Sequence, residues 1–131
     1  MARKIDLQDR LAETISKLSG IPIKIDYLAP DNDVGLIPNP GSHCVSADFD
    51  GLEYWQYNYA ITLQTDNTRE ASQKLFKIQE CLSDIKSLTS NNGSFEFDKI
   101  EVNSAPAMTL ENVEGTVMYE LDIAVFIYVQ N

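Results

Sequence analysis

The sequence predicts an α/β fold of the α+β kind, a mainly antiparallel sheet of about four to five strands packed by two helices. Three observations carry this prediction. Residues 56–65 and 116–129 alternate in hydropathy with period two, the mark of half-buried strands. Residues 6–18 and 71–85 repeat apolar side chains at helical spacing. Turn-forming residues separate these stretches, and the 131 residues form one domain, 1–131, large enough to bury a core.

Taken in order, Leu7, Leu11, Ile15 and Leu18 mark an amphipathic helix that Gly20 and Pro22 close. In IKIDYL, Ile23, Ile25 and Tyr27 share one face of a short strand. APDNDVGLIPNPGSH is rich in turn residues and leaves room for a short strand at 34–37. CVSADF is extended and runs into an Asp50-Gly51 hairpin turn. Trp55, Tyr57, Tyr59, Ile61 and Leu63 then point one way, and Gln56, Asn58, Ala60, Thr62 and Gln64 the other.

TDN caps the second helix, whose face is Ala71, Leu75, Ile78, Leu82 and Ile85. In FEFDKIEV the apolar phase shifts between Phe97 and Ile100, which predicts a bulge at 98–99. NSAPAMTLENVEG reads as a polar connection. The last strand is apolar on both faces in its second half and would extend about 46 Å, longer than a domain of this size is wide, roughly 36 Å. It should bend or overhang as an edge open to another chain. The even-numbered Phe126 and Tyr128, with Met118 and Ala124, are therefore the candidate subunit or tube contacts.

Charge excludes some functions. The net charge is -10, and all ten Lys and Arg lie in 1–24 and 69–99. Such a surface repels phosphate, so specific nucleic-acid binding is not expected. No apolar run reaches the roughly 18 residues of a membrane helix, and Arg3 and Lys4 are followed by no apolar stretch, so no signal peptide is expected. Cys44 and Cys81 sit in no motif and read as free thiols.

Chemistry-bearing motifs are sparse. His43 and Cys44 are adjacent, but neighbours in sequence rarely hold a nucleophile and its base in hydrogen-bonding geometry. Together with Cys81 they lack the spacing of a metal site. DNDVG opens like a calcium loop without its later acid. Glu120 and Asp122 share a strand face about 7 Å apart and read as a solvated pair. Tyr54, Trp55, Tyr57 and Tyr59 have the rings to stack bases but lack basic neighbours. No catalytic, cofactor or metal residue emerges, and no enzymatic activity is expected. One alternative remains: a small-ligand or peptide-binding module using the Tyr/Trp strand face.

IPIKIDYLAPDNDVGLIPNPGSH, DGLEYWQYNYAITLQT, NNGSFEFDKIEV and MYELDIAVFIYVQN together resemble the minor capsid protein family of Gram-positive siphophages and prophages. That family is similar in role and fold to tail terminators, the head-to-tail joining or tail completion proteins. The resemblance spans essentially the whole chain and is structural; it carries no active-site residues. It implies a sheet backed by helices and a hexameric ring at the head-proximal end of the tail tube. The ring stops tail polymerisation and joins tail to head in the virion. The implied partners are further copies of the chain, the major tail protein and the head–tail connector; genomic DNA passes without specific binding, and no membrane is involved.

Overall fold

Both helices lie on one face of a single mixed sheet, so the odd-numbered side chains of the long strands meet the helices and the even-numbered ones do not. The computed structural model describes residues 5–25, 33–111 and 116–130. Along this chain run α1 (Leu7–Ser19), β1 (Ile23–Ile25), β2 (Val34–Pro38), β3 (His43–Ala47), β4 (Leu52–Thr65), α2 (Thr68–Ser83), β5 (Glu96–Glu111) and β6 (Val117–Gln130). The α+β architecture is the one expected, with six strands among the described residues rather than four or five. Tyr27 and the start of DNDVG lie outside the described residues.

Strand order is β1-β2-β4-β6-β5, with β3 pairing with β4 off this path. Among the described residues only β1 and β2 pair in parallel; the other pairs are antiparallel. β4 and β6 pair without a break from Leu52↔Gln130 to Thr65↔Val117. One uninterrupted register keeps every odd position of both strands on the same side. Tyr59, Ile61, Leu63, Leu121, Ile123, Val125 and Ile127 are accordingly buried in one cluster with Leu7, Leu11 and Ile15 of α1 and Leu75, Ile78 and Leu82 of α2.

Each helix ends where its sequence dictates. Gly20 adopts the left-handed conformation (φ 74°) and donates its N–H to the Ser16 carbonyl, a C-cap that favours glycine. The Asn67 side chain accepts the Glu70 N–H at 3.1 Å, as the TDN reading anticipates. At the start of α1, Asp6 serves tertiary structure instead of the helix. Its carboxylate accepts from Ser90 Oγ (2.7 Å), Asn91 N (2.8 Å) and Ser94 Oγ (3.0 Å), tying α1 to the loop before β5. Desolvation opposes the charge on Asp6, but these donors outweigh it and lower the carboxyl pKa.

Two expectations need correction. The last strand is not an edge: β6 lies between β4 and β5, and the edge on that side belongs to β5. The connection expected after residue 102 is also strand as far as Glu111. The backbone of β6 needs partners on the side that β4 leaves free, and β5 supplies them despite its polar sequence. Four register shifts absorb the irregularity, and the first, between Phe97 and Lys99, is the predicted bulge. Pro106 fits because an edge strand need not donate every N–H.

Candidate functional site: the open sheet face and its edges

Among the described residues the even face carries no helix, and the chain furnishes it in three patches. At one end, Tyr54 lies against Phe126 (ring centroids 5.8 Å apart) and Tyr128 (4.8 Å). Cross-strand register causes this meeting, since Tyr54 pairs with Tyr128 and Gln56 with Phe126. Lys99 Nζ stands 4.9 Å from the Phe126 ring centroid, a cation–π distance. The Tyr54 hydroxyl donates to Asp98 in the β5 bulge. Burial, then that bond and the Asp98 charge, push the Tyr54 pKa well above its ordinary range.

In the middle, the turn after β2 folds over the sheet. The Asn58 side chain donates to the Pro40 carbonyl at 3.1 Å, and Asn58 N–H donates to Ser42 Oγ at 2.9 Å. Gly41 has φ 97°, which favours glycine, and a Cβ there would stand 2.9 Å from Asn58 Nδ2 and displace that side chain. Ala60, Thr62 and Ala124, all small, are buried in this region.

Beyond it, Glu120 and Asp122 form a half-buried pair. Asn39 Nδ2 donates to Asp122 Oδ1 at 2.9 Å. A hydrogen bond to Asp122, then desolvation and the Asp122 charge, raise Glu120 from 4.5 to about 7. Near neutrality Glu120 is therefore at the point of taking up or losing its proton. The pair is not the solvated one expected from sequence, because the proximity of the two carboxyls and the burial that raises Glu120 are tertiary.

Of the sequence-predicted contacts, the structure brings Phe126 and Tyr128 together, the latter 37 % exposed. Met118 is half-buried near the other end of β6. Ala124 is fully enclosed by its own chain and presents no surface to a partner. Sequence reasoning missed Tyr54 as the third ring; strand pairing alone identifies it. Trp55 and Tyr57 stack on the opposite face with centroids 5.5 Å apart, half-buried against the core. The Tyr/Trp set is thus divided between two faces. His43 Nδ1 lies 2.6 Å from the Gly41 carbonyl, and Cys44 Sγ lies 3.3 Å from that of Ser46. Both cysteines are free.

The two flanks of the sheet are unlike. On one side β5 offers a long edge, paired outward only by a bridge from Thr89 to Glu96 among the described residues, with Val102 and Met108 exposed. On the other, β3 is exposed along its whole length and leads to a tight turn bearing Phe49, the most exposed of the described large hydrophobics. No protein-family model matches this chain, and no curated protein matches it.

Proposed function

We propose that the chain is a structural ring subunit of the tail-terminator kind. Copies assemble head-to-tail into a six-fold ring on the end of a siphophage tail tube. The ring stops addition of the major tail protein and joins the finished tail to the head connector. The protein works at the tail–head junction of the virion and performs no chemical step.

The observation that carries this reading is the pair of unlike open flanks on one sheet. A closed ring needs two different surfaces that complement each other, and a long β5 edge bearing the exposed Val102 and Met108, opposite an exposed hairpin, meets that requirement. Val102 and Met108 would gain little from exposure to water in a lone domain. Strands β2, β3, β4 and β6, which carry no Lys or Arg, suit a passage through which DNA moves without being held. The resemblance of the four long segments to siphophage minor capsid proteins points to the same role.

A tube-arrest assay tests the reading. Purified protein added to polymerising major tail protein should stop elongation, and negative-stain images should show a ring on one tube end. Tubes of unchanged length with no added density would contradict it.

A further inference from the structure

We infer that the hairpin tip Asp48–Phe49–Asp50 of one copy docks in a groove between α1 and residues 84–87 of a second copy. This inference rests on the ring reading and supplies one of its interfaces.

The tip is built to present an aromatic ring. Asp48 Oδ1 accepts the N–H groups of Asp50 (2.9 Å) and Leu52 (3.0 Å), and Asp48 N–H donates to the Leu52 carbonyl. Gln130 Nε2 donates to the Asp50 carbonyl at 3.0 Å, and Gly51 supplies the positive φ of 87° that the turn needs. The backbone is thus fixed before any partner arrives, which lowers the entropy lost on docking. On this frame Phe49 is 110 % exposed. A solvent-adapted tip would carry a polar residue there; an aromatic side chain on a rigid turn is the form of an interface anchor.

The groove has the complementary character. It is an open groove of about 540 Å³. Leu18, 49 % exposed, gives it an apolar surface. Arg10 is held by the Thr89 carbonyl and by Glu13, and Lys17, Lys86 and Asp84 also line the groove. Neither lysine forms an ion pair among the described residues. In a chain of net charge -10, a groove that sets the exposed Leu18 among Arg10, Lys17 and Lys86 suits a Phe flanked by two carboxylates.

Charge also selects the geometry. No Lys or Arg lies between Lys24 and Arg69, so tip against tip would set acid against acid. Tip into groove joins unlike surfaces, and such contacts close as rings or propagate as filaments.

Sedimentation of the whole chain over a concentration series tests the docking. Phe49→Ala should keep the wild-type melting temperature, since the side chain touches nothing, and should weaken association roughly thirtyfold, the effect of losing a strong anchor. Asp50→Lys should weaken it too, and Lys86→Glu in the same chain should restore part of the loss. Equal association of wild type and Phe49→Ala would overturn the docking, as would a wild-type chain that stays monomeric at the highest attainable concentration. Tube arrest, measured in parallel, separates the two ideas. Arrest undiminished by Phe49→Ala overturns the docking and leaves the ring. Association that depends on Phe49 without tube arrest supports the docking and overturns the terminator role.

Discussion

Glu120 shows how far one side chain can depart from its sequence context. It lies on β6 beside Asp122, paired across the sheet with Thr62 on β4 and Ala107 on β5, and the charged group it faces is Asp122. Its pKa is about 7 in the fold against an ordinary 4.5. A group whose folded pKa is raised stabilises the fold when protonated; that contribution is complete below the unfolded value and is lost as pH rises through the folded one. Stability should therefore decline between about pH 4.5 and 7 on account of this carboxyl. Glu120→Gln keeps a donor for Asp122 without a proton to lose, and should stabilise the protein by about 1 kcal/mol above neutrality once solvent screening is allowed for. Thermal melts of both proteins across that range check this, and parallel pH profiles would contradict it.

At the scale of elements, α2 shows what the helix-on-sheet layer rests on. Leu75, Ile78 and Leu82 of α2 lie in the core with the odd residues of β4 and β6, and Ile78 has no exposed surface. Ile78→Ala should cost about 2–5 kcal/mol, the transfer term plus the cavity left behind. An unchanged denaturation midpoint would refute the packing. This face was legible because a helix writes its buried side into local spacing. The cap at Asn67 and the bulge after Phe97 were legible for the same reason, since each is fixed by a few neighbouring residues. The central place of β6 was not, because strand order depends on pairing between distant segments. Nor was the contact of Asp6 with Ser90 and Ser94, more than eighty residues away. The continuation of β5 through Pro106 was hidden by a polar sequence that an edge strand tolerates. The site divides similarly: Phe126 and Tyr128 could be named from alternation, whereas Tyr54 and the enclosure of Ala124 required the register.

At the scale of the molecule, charge and apolar surface are distributed unevenly. Both helices carry Lys or Arg among their acids, while β2, β3, β4 and β6 contain none. Exposed apolar groups occur at both flanks, Met108 on β5 and Phe49 beyond β3. This polarity is what a subunit needs if each copy is to meet the next through different surfaces. The proposed role follows from that asymmetry together with the family resemblance, and it makes a claim about length: the ring determines where the tail ends. The most direct measurement is the tail-length distribution, by electron microscopy, of particles made with and without this chain. Without it, tails should be of uncontrolled length and separate from filled heads, and supplying the chain should restore joined virions with uniform tails. Uniform tails of normal length made in its absence would contradict the account.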